Sequence, residues 1–245
     1  VDYNRQSLDS VVSDRLFGRI DKLFEAMGWR VIELKYGKRL QRAFLEQGGD
    51  ALMNWIDNCP NSLYSALTYK GGAAWRDHLK RDLGDTAGIR PLLDSHVDIA
   101  LQELMTNLAG NDIETVLEAF HAVNDDRPTC FISYTVKGFG LPFAGHKDNH
   151  SGLMNLDQMQ EFKESMGIPD GAEWEPFVGL DYSENELREF LDDVPWAGRY
   201  PRRYETPKIA VPEAFTIEPR GPISTQEGFG RILSDIARSG DELSK

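Results

Sequence analysis

Two groups of residues in this chain have the types and spacing to do chemistry. Asn4 and Gln6 stand two apart just after Val1-Asp2-Tyr3, which reads as the tail of a strand, and both carry amide oxygens. Hard cations such as Mg²⁺ take oxygen donors of this kind and commonly hold a substrate phosphate as well. The same pair could instead stabilise a turn and nothing more. The second group runs from Tyr134 to Gly152 and holds four glycines, Pro142, Lys137, Lys147, His146 and His150. Glycines let a backbone approach a ligand closely, and histidines move protons near neutral pH. A solvated surface loop is the alternative, and these residues alone leave both readings open.

The elements that must position these residues follow from pattern. Thr129-Cys130-Phe131-Ile132-Ser133 is an apolar, β-branched run opened by Pro128, which predicts a buried strand that empties into the glycine-rich loop. Asp14 can cap a helix carrying Leu16, Ile20, Leu23, Phe24 and Met27, closed by Gly28. Trp29–Leu34 is then a second strand, and strand–helix–strand in this order is a βαβ unit with a right-handed crossover. Parallel sheets of this type bind ligands at their carboxyl edge, where Asn4 and Gln6 would lie.

Spacing also predicts helices over 39–47, 50–58, 76–83, 97–108 and 113–123. The last of these places Val116, Leu117, Phe120 and Val123 on one face. Helices from Asn155 to Met166 and from Ser183 to Asp192 open on capping signals, and Ser224-Thr225-Gln226-Glu227 opens a final helix. Six prolines between Pro195 and Pro222 read as a linker.

A formal charge of -13 excludes an extended nucleic-acid surface, which needs basic patches. Cys59 and Cys130, the two cysteines, make neither a disulfide framework nor a metal knuckle and point to a reducing compartment. No apolar run approaches the ~20 residues of a membrane span. The chain opens on Val1 in strand-like sequence and stops soon after a helix, as a segment of a longer protein would.

Asp2-Tyr3-Asn4-Arg5-Gln6-Ser7-Leu8-Asp9 resembles the end of the thiamine diphosphate motif of the transketolase superfamily. It is most similar to the Asn-x-Gln-x-Leu-Asp form found in the decarboxylating component of homodimeric, bacterial-type pyruvate dehydrogenase complexes. The likeness continues through Gly28-Trp29-Arg30-Val31-Ile32, Lys70-Gly71-Gly72-Ala73, Asn111-Asp112, Thr135-Val136-Lys137-Gly138-Phe139-Gly140 and Ser224-Thr225. It covers nearly the whole chain in order.

That resemblance implies an α/β fold: a parallel sheet flanked by helices, the thiamine diphosphate-binding fold. Residues 1–194 would form a diphosphate-binding domain truncated at its N-terminus, 195–223 an extended linker, and 224–245 the start of a pyrimidine-binding domain. It implies thiamine diphosphate and Mg²⁺ as cofactors, with Asn4 and Gln6 as metal ligands and Asn4, Gln6 and Leu8 as cofactor-binding residues. Lys137, His146 and His150 would be the catalytic residues, His150 serving substrate handling and transfer to lipoyl. His146-Lys147-Asp148-Asn149-His150 departs from both the pyruvate-enzyme and the transketolase pattern.

The implied activity is oxidative decarboxylation of pyruvate or a close homologue with acyl transfer to lipoyl. The implied setting is a cytoplasmic homodimer working with a lipoyl-bearing acyltransferase component. A transketolase moving two-carbon units between sugar phosphates, and a non-catalytic module of the same fold, are the alternatives. The other histidines read as ordinary: His78 solvated on a polar helix, His96 near a helix start, His121 packed. Arg199, Arg202 and Arg203 form a basic cluster in the linker.

Overall fold

The computed structural model describes residues 1–7, 10–11, 17–196 and 221–239. Leu8, the expected cap Asp14, Leu16, most of the Pro-rich stretch with its three arginines, and the last six residues lie outside the described residues. The described residues separate into two compact units, Val1–Gly179 and the part from Leu180 onward.

The first unit is built on a parallel sheet of β1 (Asp2–Tyr3), β4 (Arg30–Leu34) and β5 (Thr129–Tyr134), in the order β1-β5-β4. Tyr3 pairs with Tyr134 and Leu34 with Ser133, so all three strands end at one edge. Between β1 and β4 lies α1 (Phe17–Ala26), and Gly28 ends its turn in the left-handed conformation at φ 83°. The expected strand–helix–strand unit is therefore present, with β5 inserted between its two strands. After Asn4 a small antiparallel pairing joins β2 (Gln6–Ser7) to β3 (Ser10–Val11), which the sequence did not announce.

Alternation along β5 sends Cys130, Ile132 and Tyr134 into the core and Thr129, Phe131 and Ser133 to the opposite face. The core face is covered by α2 (Lys38–Ala43), α3 (Gly49–Asn58), α4 (Asn61–Lys70), α5 (Gly72–Leu83), α6 (Ile89–Asp94) and α7 (Asp98–Met105). Trp75, Leu79, Leu93, Leu101 and Met105 are completely buried there, and Trp75 sits edge-on to Tyr64 and Trp55. Close packing of these helices depends on glycine. A Cβ on Gly88 would lie 2.1 Å from the Gln47 carbonyl oxygen, and both Gly48 and Gly88 have φ 90°. The two turns before α3 and α6 thus rest backbone on backbone.

Two helices here were not expected. Pro60 follows the end of α3 and is the N-cap of α4, and Pro91 sits within the first turn of α6, where its missing N–H costs nothing.

On the other face lies α8 (Ile113–His121), with Phe120 against Phe131 at 4.6 Å. The sequence predicts its apolar face to be packed. Instead Ile113, Leu117 and Phe120 are 72%, 46% and 51% exposed, because the described residues on this side of the sheet cover only part of the helix. His121 on the same helix is exposed rather than packed. His78, expected in solvent, lies edge-on to Trp55 and bonds to Arg81 and Asp82. His96 sits just after α6, with its Nδ1 2.9 Å from the Leu92 carbonyl.

Farther along, α9 (Leu156–Ser165) opens on the capping box of Asn155 and Gln158. In the second unit α10 (Glu184–Asp193) opens on that of Ser183 and Glu186, and α11 (Thr225–Ser239) follows Ser224, whose hydroxyl accepts from the Glu227 N–H. Among the described residues, no helix is long and apolar enough to cross a membrane.

Candidate functional site

Where β1 ends, the Asn4 side chain accepts the Gln6 backbone N–H at 3.0 Å, an Asx turn made by the residue types present. Between them Arg5 adopts φ 64°, a region that non-glycine residues rarely occupy. Gln6 Nε2 donates to the Gly145 carbonyl at 3.3 Å, tying the strand end to the glycine-rich loop. Gln6 Oε1 is buried and has no hydrogen-bond donor among the described residues.

Where β5 ends, the Thr135 N–H donates to the Tyr3 carbonyl at 3.3 Å, and the Val136 N–H to Asn111 Oδ1 at 2.8 Å. Asn111 closes a 3-10 turn (Ala109–Asn111) that can lie on β5 because Gly110 has no Cβ to meet Thr135, 2.5 Å away. The loop that follows closes on itself. The Gly145 N–H donates to the Lys137 carbonyl at 3.2 Å, and Asn149 Nδ2 donates to the same oxygen at 2.8 Å. Gly145, at φ 77°, lets the loop settle onto α4, where a Cβ would meet the Ser65 carbonyl and Thr68 at 2.8 Å.

The cavity between these pieces is lined by Asn4, Gln6, Ser65, Thr68, Lys137 and Gly145, with Arg5, Tyr64, Thr135 and Val136, and its volume is about 10 Å³. That is roughly the room of a single water probe, so loop and strand end are closed against each other. Asn4, Gln6 and Lys137 are thereby brought together, as their residue types suggest. His146 and His150 do not line this cavity. His146 rests edge-on against Tyr69 at 4.5 Å, and its Nδ1 accepts the Asp148 N–H at 3.1 Å, which leaves the proton of the neutral ring on Nε2. His150 is exposed.

Sequence reasoning passed over Asn149 and Gly145, which hold the loop together and seat it. Their only signal is a small amide and a glycine in a loop that must turn back on itself.

One carboxylate organises the flank of the site. Asp112 accepts from Lys38 N, Asn107 Nδ2, Thr115 N and Thr115 Oγ1 at 2.9–3.2 Å, and so caps α2 and α8 together. Burial alone would raise its pKa, but the hydrogen bonds to the ionised form prevail and hold it below the ordinary value. Tyr64, fully enclosed under the site, is pushed up by burial, with the Arg5 guanidinium partly opposing that shift. Tyr134 is also raised, by burial and then by Glu33.

A parallel sheet with oxygen donors and a glycine-rich loop gathered at its carboxyl edge defines an α/β domain of the class that binds ligands at that edge. No protein-family model matches the chain. Curated relatives do, among them three bacterial proteins that each carry the name pyruvate dehydrogenase E1 component. The Cupriavidus necator protein is 24% identical across 97% of this chain. Those of Corynebacterium glutamicum and Escherichia coli K12 are 26% and 23% identical across 76% and 69% of it. The chain is similar over most of its length to proteins named pyruvate dehydrogenase E1 component, as the motif order implies. It spans 28%, 21% and 19% of the lengths of those three proteins.

Proposed function

We propose that this chain is a segment of the decarboxylating component of a 2-oxoacid dehydrogenase, acting on pyruvate or a close homologue. Thiamine diphosphate and Mg²⁺ would be its cofactors, a second copy and a lipoyl-bearing acyltransferase component its partners, and the cytoplasm its location. Relatives that share one name along most of the chain favour this reading over a sugar-phosphate transketolase or a non-catalytic module.

The observation that carries the cofactor assignment is Gln6 Oε1, a buried acceptor with no donor among the described residues, in a cavity that Asn4 also lines. An orphaned acceptor is costly unless a cation or donor meets it. Two amide oxygens suit Mg²⁺ as part of a donor set. They bring no charge, and no group of three or more His, Cys, Asp or Glu among the described residues could hold a metal. A carboxylate from outside the described cluster would complete the set. Leu8 belongs to the same proposed cofactor-binding motif.

When bound, thiamine diphosphate supplies the carbon nucleophile for decarboxylation. The chain's own residues would then bind, orient and shield. Asn4 and Gln6 would hold the metal, and Lys137 would supply a positive charge near the active-site channel. The loop from Gly138 to Gly152 closes against α4 and keeps water out. His146 and His150 lie on the loop's outer part, where they could pass protons during substrate handling and transfer to lipoyl.

The test is thiamine diphosphate binding by the full-length protein, measured by calorimetry with and without Mg²⁺. Binding should require Mg²⁺, and Asn4→Ala should weaken it by about 10–100-fold. Affinity indifferent to both the metal and the substitution would remove the metal role.

A further inference from the structure

A second cavity of about 450 Å³ opens at the same sheet edge and is lined by Tyr3, Arg5, Lys35, Ile56, Cys59 and Tyr134, among others. Asn4, Gln6 and Lys137 do not line it; Arg5 is shared with the smaller cavity beside them, but nothing that follows uses the cofactor assignment proposed above. Arg5 is the unusual feature. Its side chain is carried by a backbone in the left-handed region, and the residue is only 7% exposed. Its guanidinium lies 3.8 Å from the centre of the Tyr64 ring and 6.0 Å from that of Tyr134. Among the described residues no carboxylate pairs with it. Lys35 approaches the same Tyr134 ring, its Nζ 5.3 Å from the centre, and pairs with Asp57 at the rim.

Burying a guanidinium is expensive when no anion compensates it, and an aromatic face offsets only part of the cost. Holding it there in a sparsely populated backbone conformation adds to that cost. A structural role would be served as well by a neutral residue over Tyr64. We propose that this cavity binds a small monocarboxylate. The flat fork of Arg5 would take its two oxygens, and Tyr3, Tyr134 and Ile56 would take a short apolar body. Among the described lining residues Lys35 is paired with Asp57, and Glu33 stands against Tyr134, so Arg5 calls for one anionic group rather than a multiply charged one.

The thiol of Cys59 on the cavity wall provides the test. In the full-length protein, alkylation of Cys59 by iodoacetate and by neutral iodoacetamide is followed by peptide mass spectrometry. Cys130, 5% exposed in β5, serves as the unreactive reference. The iodoacetate-to-iodoacetamide rate ratio at Cys59, relative to that at glutathione, should be raised about 10-fold or more, the range for a hydrogen-bonded charge contact. Butyrate should protect Cys59, and inorganic phosphate should protect it less. Arg5→Gln should abolish both the preference and the protection.

Should Arg5→Gln fail to fold, Lys35→Gln at the rim decides the matter. It spares the Arg5–Tyr64 stack and should still lower the ratio several-fold by removing one positive charge. A ratio equal to that of glutathione in the unaltered protein overturns the proposal, as does protection that survives Arg5→Gln. Equal protection by phosphate and butyrate overturns the monocarboxylate assignment.

Discussion

Asp112 is the residue on which the most local structure converges, since its single carboxylate caps the first turns of α2 and α8 and binds Asn107. Removing an N-cap acid typically costs about 0.5–2 kcal/mol. Asp112→Ala should fall at the upper end, because two helix starts lose their acceptor, and chemical denaturation of the full-length protein reads this directly. The pH dependence has a definite sign. A carboxyl whose folded pKa lies below its unfolded value contributes stability above the unfolded value, near ~3.9. That contribution is lost as pH falls through the folded value. The denaturation midpoints of wild type and Asp112→Ala should therefore converge below about pH 4, and a gap unchanged down to pH 3 would contradict the charge-based account. Legibility at this scale is uneven. Asn4, Gln6 and Lys137 reach one cavity as their positions after strands suggest. His78 is different: its partners Trp55 and Asp82 come from tertiary packing that a polar helical pattern does not reveal.

At the scale of elements, β5 was legible to within one residue because Pro128 and a β-branched run mark a buried strand without help from its neighbours. Two helices escaped notice for physical reasons. The α4 sequence, with Asn61, Ser62, Ser65 and Thr68, is poor in helix formers and has little amphipathic contrast; packing against α5 stabilises it. Pro91 makes α6 look broken, although it sits in the first turn. How these helices pack is equally invisible in sequence, since Gly48 and Gly88 look like ordinary loop glycines. Their contact gives a prediction. Gly88→Ala must hold an L residue at φ 90° with its Cβ 2.1 Å from the Gln47 carbonyl, so the turns before α3 and α6 would have to separate. A loss of several kcal/mol is expected, about the scale of overpacking plus left-handed strain. Gly140→Ala provides the comparison: it shares the positive φ, but its Cβ would meet nothing within 4 Å. It should cost about 1–2 kcal/mol. Equal losses at the two sites would mean that backbone strain, not turn-against-turn packing, sets the cost.

For the whole molecule, the question is how a site closed around Asn4, Gln6 and Lys137 communicates with a partner, and His150 is placed to answer it. The structure puts this histidine on the exposed side of the loop, away from the cavity that gathers the proposed metal ligands. A group so placed would have little part in decarboxylation and could meet an arriving lipoyl group from outside. In the full-length protein, His150→Ala should therefore spare 2-oxoacid decarboxylation measured with an artificial electron acceptor. Reductive acylation of a lipoyl domain should fall by about 10²–10⁴-fold, the usual loss of a general acid or base. His146 supplies the contrast. Its Nδ1 accepts the Asp148 N–H and its ring rests on Tyr69, so His146→Ala should loosen the loop. Both reactions should then decline together. If His150→Ala lowers the two rates equally, it shapes the loop as His146 does, and the transfer role is lost. If neither rate changes, His150 is a solvated loop residue, and the proton for acyl transfer must come from elsewhere in the assembled enzyme.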